Sequence, residues 1–408
     1  MIFPNLSLEK YENLPYLAII CTFADGMTTK SEGMVIGYDA KRIVRNGTGL
    51  GSYGRTLIND IARDGELDIR LYAPDAGRDD LRRQIVESPN VQFCYPERTA
   101  IPFGKSFWRS RGIVKDLLRD KVQIFHGLSG ELPHGIRKSG IKSVVTVHDL
   151  IFLRHPEFYH WIDTKIYTRK FHQTLQEADR IIAISECTKR DIMEYGNIDD
   201  SRISLIYQSC APRFSVTTIG AEKEHIRQQY GLPERFILNV GSIEARKNIL
   251  LAVKALPYLP ENLSLVIVGR HTKYTNEVRT YIEKHRLTHR VHILHGVPDS
   301  HLPALYALAE TFVYPSRYEG FGIPIIEAIR CGLPVVACTG SCLEEAGGPD
   351  CLYVHPDGEQ AMAVAISQTL KGAKSREQRI ARTQEYIRRF DGNDVAGQVI
   401  ELYHRLLS

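Results

Sequence analysis

Tyr318-Glu319-Gly320-Phe321-Gly322-Ile323-Pro324-Ile325-Ile326-Glu327-Ala328, directly after the apolar run Thr311-Phe312-Val313-Tyr314-Pro315, reads as a strand that gives way to a helix. Glycines at 320 and 322 let backbone N–H groups come close to a ligand, Pro324 suits a first helical turn, and the new helix aims the positive end of its dipole at whatever sits above the strand. That is an anion site, with phosphate its usual occupant. Glu319 and Glu327 stand on either side of it, where they could accept hydrogen bonds from hydroxyls at both ends of a diphosphate. The same residues also fit an ordinary strand-to-helix turn with Glu327 on a solvated face, so neighbouring segments must decide.

Upstream, Phe236-Ile237-Leu238-Asn239-Val240 reads as a buried strand, and Gly241-Ser242-Ile243-Glu244-Ala245-Arg246-Lys247-Asn248 turns from it into a helix with two cations at its start. Cations there oppose the helix dipole, and a bound anion would remove the conflict. Arg246 offers a bidentate fork and Lys247 a point charge to diphosphate oxygens. The alternative is a solvated Arg-Lys pair. A nucleotide sugar matches both segments in shape and charge.

Together these residues resemble the retaining glycosyltransferases of family 4, the group 1 transferases with a GT-B fold. The resemblance centres on Glu319 and Glu327 around Gly-Phe-Gly-x-Pro, with Gly332-Leu333-Pro334-Val335-Val336-Ala337 following. It extends to Arg246-Lys247-Asn248, to Val145-Thr146-Val147-His148-Asp149-Leu150 and to Ile184-Ser185-Glu186-Cys187-Thr188-Lys189-Arg190-Asp191, and so covers residues 34 to 408. The resemblance implies that Glu327 partners the donor ribose, that Arg246 and Lys247 clamp the diphosphate, that Glu319 holds hydroxyls of the transferred sugar, and that His148 faces that sugar near its reacting carbon. Gly241, Gly320, Phe321 and Gly322 would border the donor, as would Val297 in the loop beside the base. Many members carry an arginine directly after the strand glycine, where this chain has Ser242, which leaves the division of labour at the diphosphate open.

Length and charge agree with this reading. The chain has 408 residues with 43% hydrophobic content, enough for two α/β domains with separate cores. A net charge of +4 gives no warrant for nucleic-acid binding. The eight cysteines include no C-x-x-C pair and read as reduced core thiols of a cytoplasmic protein. Short apolar strands alternate with helical patterns throughout, the signature of parallel sheets. Strands are expected near 35–39, 69–73, 91–95, 123–126, 143–147, 181–184 and 203–206, then near 236–240, 263–268, 291–295, 311–314, 334–337 and 351–354. The expected organisation is an N-terminal extension over 1–33, a Rossmann-like acceptor domain over 34–213, a hinge over 214–234, a Rossmann-like nucleotide-sugar domain over 235–390, and a C-terminal helical segment over 391–408 crossing back to the first domain.

Gly49-Leu50-Gly51-Ser52-Tyr53-Gly54 is literally a G-x-G-x-x-G, with Asp75 some way beyond the next strand, and would serve a nicotinamide dehydrogenase. In that fingerprint the first glycine follows its strand almost at once, whereas here Ala40 to Thr48 intervene. Gly47 to Gly51 looks instead like the glycine-rich loop that many family members lay over the donor phosphates, placing Gly49 and Gly51 at the donor, with a helix from Ser52 to Arg63 behind it. His285, His289, His292 and His295 lack the carboxylates or cysteines of a metal site, and no metal or other cofactor is expected. The basic, aromatic stretch from Gly104 to Arg119 reads as a helix with one packed and one solvated face, or as a contact with a membrane surface or acceptor.

The expected activity is therefore transfer of a hexose from a UDP- or GDP-sugar to a glycan or lipid-linked acceptor. The resemblance places it in polysaccharide or O-antigen assembly, in the cytoplasm or peripherally at the inner membrane face. A sugar-nucleotide-binding or partner-binding subunit of the same fold without catalysis is the non-enzyme alternative.

Overall fold

The computed structural model describes residues 33–97, 104–216 and 218–408, so the expected extension over 1–33 falls outside it save for its last residue. Two sheets, every strand pair parallel, make up the α/β architecture. The first contains β1 (Met34–Asp39), β2 (Leu67–Tyr72), β3 (Val91–Cys94), β4 (Ile124–Gly127), β5 (Lys142–Val147), β6 (Arg180–Ala183) and β7 (Ile203–Leu205), in the order β3-β2-β1-β4-β5-β6-β7. The second contains β8 (Phe236–Val240), β9 (Ser264–Val268), β10 (Val291–Leu294), β11 (Thr311–Tyr314), β12 (Val335–Cys338) and β13 (Leu352–Val354), in the order β10-β9-β8-β11-β12-β13.

Helices cover both faces of each sheet, which is why central strands such as Phe236–Val240 and Thr311–Tyr314 are mostly apolar and buried along nearly their whole length rather than alternating. Each sheet reverses its winding once, between β1 and β4 in the first and between β8 and β11 in the second. Open parallel sheets bind ligands outside the carboxyl ends of the strands at such a switch point, because diverging connections leave a crevice there. Two switch points thus define two candidate crevices.

The final helix, Val395–Leu407, is capped by Asp394, whose side chain accepts from the Gly397 N–H. It lies against the helix Gly49–Asp64, and Val399, Leu402 and Tyr403 share a core with Ile36, Tyr38 and Ile58 of the first sheet's layer. Tyr403 also meets the fully buried His126 ring, its hydroxyl 2.6 Å from Nδ1. The chain segment joining the two sheets carries a short 3₁₀ turn at Pro212–Ser215 and the helix Gly220–Gln229.

One expectation changes here. The glycine-rich stretch is not a loop ahead of a helix at Ser52; the helix starts at Gly49 and takes in Gly51. A Cβ at Gly51 would lie 1.8 Å from the Asn46 carbonyl oxygen, so the tight entry into this helix demands glycine, whereas Gly49 faces open space. A separate short helix, Lys41–Arg45, stands between β1 and this one, so the strand-to-helix turn of a dinucleotide fingerprint is absent. Asp75, its would-be ribose partner, is paired with Arg45 and with Lys105 at 2.9 Å.

Candidate active site

The second sheet's switch point gathers the charged residues. After β8, a one-turn 3₁₀ helix, Ala245–Lys247, ends at Asn248 in the left-handed region and leads into the helix Ile249–Ala255. After β11, the chain passes Ser316, Tyr318 and Glu319 and enters the helix Ile323–Arg330 at Gly322, whose φ of 128° excludes other residues without strain. Strands β8 and β11 are neighbours, so these two turns face one another.

Glu319 is the hub. Its Oε1 accepts from Lys247 Nζ at 2.9 Å, from Tyr314 OH at 3.1 Å and from Ser316 Oγ at 2.8 Å, while Oε2 lies 2.9 Å from Arg246 Nη1. Burial opposes its ionisation, but Lys247 and Arg246 outweigh that and hold its carboxyl down to about 2. Burial likewise disfavours the Lys247 ammonium, and Glu319 more than compensates, so Lys247 stays charged. Arg246 Nη2 also lies 3.7 Å from the half-exposed Glu244, and the two cations stand beside the start of the Ile323–Arg330 helix, an arrangement suited to a polyanion. Gly241 lines its floor: a Cβ there would come within 3.3 Å of Lys247 Cδ.

Glu327, one turn into that helix, has a different environment. Burial pushes its carboxyl up to about 7, with the Tyr306 hydroxyl, donating at 2.9 Å to Oε2, pulling it partly back. Val297 is packed against the apolar core that includes Leu302 and Leu305. Phe321 turns its ring into that core between Tyr207 and Phe390 and is 3% exposed, so only its backbone can face a ligand.

His148 directly follows β5 of the first sheet, and both ring nitrogens are engaged: Nε2 lies 2.9 Å from the Leu128 carbonyl and Nδ1 3.1 Å from Gln208 Nε2. A carbonyl can only accept, so Nε2 carries the proton and Nδ1 accepts from Gln208. Burial pushes the ring down to about 4, keeping it neutral. The Tyr53 ring packs edge-on against it at 4.8 Å between centroids.

The two halves meet at His148 and Gly320. A Cβ on Gly320 would lie 2.0 Å from the His148 carbonyl oxygen. Ser185 and Thr188, at the start of the helix Glu186–Gly196, donate to the Gly320 carbonyl at 2.6 and 3.2 Å, and Thr188 also reaches the His148 carbonyl at 3.3 Å. From the other side Glu345 accepts from the Glu186 and Cys187 N–H groups of that helix, at 2.7 and 3.3 Å. Tyr318 OH donates to the buried Asp191 at 2.6 Å. Gly241, Arg246, Lys247, Glu319, Gly320 and Gly322 thus stand at the two facing turns of the second switch point, with His148 against Gly320, while Glu327 lies one turn further into the Ile323–Arg330 helix against Tyr306. Gly49 lies in the first domain, at the exposed start of its helix.

Sequence reasoning assigned no role to Gln208, Tyr306, Tyr314, Ser316 or Glu345, and none to Gly269, where a Cβ would fall 1.8 Å from the Gly241 carbonyl oxygen. The stretch Ile184 to Asp191 carried a signal, since it belongs to the resemblance, but no partner could be read from it.

Residues 47–209 match the family described as Glycosyltransferase Family 4, and residues 222–386 the family described as Glycosyl transferases group 1. The chain is 31% identical over 332 residues to the O-antigen chain mannosyltransferase B of Escherichia coli, covering 80% of this chain and 82% of that protein. The chain belongs to glycosyltransferase family 4. The O-antigen chain mannosyltransferase RfbU of Salmonella typhimurium is 28% identical to this family 4 transferase over 256 residues, 62% of this chain and 67% of its own length. Among solved structures, the sucrose-phosphate synthase of Thermosynechococcus elongatus superposes with a TM-score of 0.73 over 92% of this chain and 99% of its own, at 20% identity. Anabaena HepE in complex with UDP and glucose superposes with a TM-score of 0.70 over 91% of this chain and 100% of its own, at 19% identity. These likenesses fix the fold of the family 4 transferase as GT-B. Among the described residues no helix is long and apolar enough to cross a membrane, and no cluster of three or more histidine, cysteine or acidic side chains is arranged to hold a metal ion.

Proposed function

We propose that this transferase moves a mannosyl unit, with retention of configuration, from a nucleoside diphosphate sugar to the end of a growing glycan or lipid-linked glycan of the O-antigen type. The observation that carries the reading is the convergence of Arg246, Lys247 and the start of the Ile323–Arg330 helix on one crevice, with Glu327 beyond. The mannosyl assignment is supported by the two curated relatives named above.

Cleavage of the anomeric C–O bond puts positive charge on the sugar and negative charge on the departing diphosphate. Arg246, Lys247 and the helix N–H groups are fixed in advance where that negative charge grows, and such groups raise the rate to the extent that they bind the transition state better than the bound sugar. The acceptor hydroxyl attacks the anomeric carbon from the face the diphosphate leaves. Its oxygen forms the new bond, and its proton passes to the departing phosphate oxygen.

Glu319 is a positioning residue in this scheme. A carboxylate that already accepts four hydrogen bonds or ion pairs and titrates near 2 is a poor nucleophile, which argues against a covalent glycosyl intermediate on it. Neutral His148, its tautomer set by Leu128 and Gln208, would face the transferred sugar through its backbone and ring edge.

Incubation of the full chain with GDP-mannose or UDP-mannose and a mannose-terminated acceptor, followed by NMR of the new linkage, tests the proposal. An α-linked product from an α-linked donor is expected; an inverted linkage, or no transfer from either donor, would contradict it.

A further inference from the structure

The stretch Ile184 to Asp191 has no part in the chemistry above, yet the fold seats it directly on the turn that carries Glu319. Ser185, Thr188 and Asp191 stand three residues apart, one as the cap and two on successive turns of the helix Glu186–Gly196, and so line one stripe of it. That stripe grips residues 318–320 of the second domain at two levels. Ser185 Oγ accepts from the Thr188 N–H at 3.0 Å, and its single proton goes to the Gly320 carbonyl at 2.6 Å. Thr188 Oγ1 lies 3.0 Å from that hydroxyl and 3.2 Å from the same carbonyl oxygen. Further along the helix, Asp191 Oδ2 accepts from Tyr318 OH at 2.6 Å, while Arg154 Nη2 holds Oδ1 at 2.6 Å, so the receiving carboxylate is itself fixed. Cys187 Sγ, 3.2 Å from the same hydroxyl, and the His155 ring, 5.2 Å from the Tyr318 ring between centroids, complete the seat. Ser185, Thr188, Asp191 and Tyr318 are all buried, none more than 4% exposed.

Peptide geometry carries this grip into the donor site. In a trans peptide the carbonyl and the following N–H point in opposite directions, and no cis peptide occurs among the described residues. The Tyr318 carbonyl accepts from Arg246 Nη1 at 2.8 Å, the Glu319 carbonyl faces Cys342 Sγ at 3.1 Å, and the Gly320 carbonyl is taken by Ser185. With these three carbonyls engaged, the directions of the Glu319, Gly320 and Phe321 N–H groups are set, and among the described residues those N–H groups donate to no protein atom. Successive free N–H groups make a concavity for anionic oxygens. The Tyr318 carbonyl also shares Arg246 with the Glu319 carboxylate, so a shift of Tyr318 is a shift of Arg246.

The turn has little stiffness of its own, because glycine stands at 320 and 322, and its shape is imposed by what it touches. Contacts that only joined the domains could fall anywhere on the facing surfaces. These fall on the residue before Glu319 and on the residue after it.

We infer that Ser185, Thr188 and Asp191 are positioning residues for sugar transfer, which set from the first domain the place of Glu319, Arg246 and the Phe321 N–H in the donor site of the second. The inference rests on the transferase reading given above.

Titration calorimetry with GDP and UDP, and transfer assays with GDP-mannose or UDP-mannose and a mannose-terminated acceptor, test it on the full chain. Rates are compared at a temperature where every variant is folded, because Ser185→Ala also removes a helix cap. In the double variant Ser185→Ala/Thr188→Val and in Tyr318→Phe, kcat should fall about 10- to 100-fold, the order expected of a misplacement of about 1 Å at a reacting centre. The Kd of the nucleoside diphosphate should stay within about threefold, since a ground-state ligand settles into a shifted site and a transition state does not. Thr188→Val keeps the shape and loses the hydroxyl, and should lower kcat about fivefold; Thr188→Ser keeps the hydroxyl and loses a methyl, and should stay within about twofold of wild type. Wild-type kcat in either the double variant or Tyr318→Phe, a Kd that weakens as much as kcat falls, or greater damage from Thr188→Ser than from Thr188→Val overturns the inference. If wild type binds a nucleotide and transfers while the variants match it, only the positioning role is lost. If wild type binds neither nucleotide or transfers from neither donor, the transferase reading fails and the inference with it.

Discussion

Glu319 holds Lys247 at 2.9 Å and Arg246 at 2.9 Å, one from each of its oxygens, where the turns after β8 and β11 face one another. Glu319 is the nearest anion to both buried cations, and in the proposed donor complex diphosphate oxygens would share them.

Removal of that carboxylate should therefore hurt stability more than it would at a surface pair. Glu319→Ala leaves the buried Lys247 without its carboxylate and Arg246 with the more distant, half-exposed Glu244, at a cost of about 3–5 kcal/mol. Added nucleoside diphosphate, by restoring an anion, should raise the melting temperature of this variant more than that of wild type. Equal shifts in calorimetry would show that the cations are not the nucleotide's partners.

Lys247→Ala should lower kcat by about 100-fold with a smaller change in donor KM, because its charge matters most as the diphosphate departs. A rise in KM at constant kcat would place Lys247 in ground-state binding only.

If Glu327 holds the donor ribose as proposed, donor binding should depend on pH. Its carboxyl sits at about 7, so as pH falls through 7 it takes up a proton and loses the ability to accept from two ribose hydroxyls. Donor KM should rise below pH 7, and Tyr306→Phe, which removes the hydrogen bond that lowers this group, should move the break to higher pH. Stability runs the opposite way. The free protein retains a proton here that the unfolded chain releases above about 4.5, so this group's contribution declines as pH rises from about 4.5 to 7. Glu327→Gln should stabilise the donor-free protein by on the order of 2 kcal/mol near pH 8 and scarcely at all near pH 4, in urea titrations at the two pH values.

Gly320→Ala should loosen the junction between the domains. Its Cβ would need the space held by the His148 carbonyl oxygen, 2.0 Å away, and two backbones rather than a flexible side chain would have to part. An overpacking cost of about 1–3 kcal/mol is expected, with loss of turnover as His148 is displaced from the donor crevice. Wild-type kcat in this variant would show that the contact has no bearing on the reaction.

Much of this molecule was legible before its structure. All thirteen expected strands are present, their ends shifted by two residues at most, because helices on both faces force long apolar runs that stand out from the polar turns around them. Arg246, Lys247 and Glu319 could be read as a group because they fall in the turns that follow two strands, where short-range pattern decides position. Three features escaped for physical reasons. Gly49 and Gly51 looked like a loop since glycine disfavours helices, yet the Asn46 carbonyl leaves room for nothing larger at 51. Phe321, within a ligand-binding signature, had no local cue that its ring would pack on Tyr207 and Phe390. Ser185 meets Gly320 across 135 positions and Gln208 meets His148 across 60, and single polar residues carry no periodicity from which such partners could be inferred.

The account stands most directly on one measurement: the melting temperature of the full chain in EDTA with GDP, UDP and their mannose conjugates, for wild type and for Glu327→Ala. A ligand bound only by the folded state must raise that temperature by mass action. The account predicts that one nucleoside diphosphate family stabilises wild type in the presence of EDTA and that Glu327→Ala abolishes the shift. No shift with any nucleotide, or the same shift in the variant, would contradict the assignment of the second switch point as the donor site.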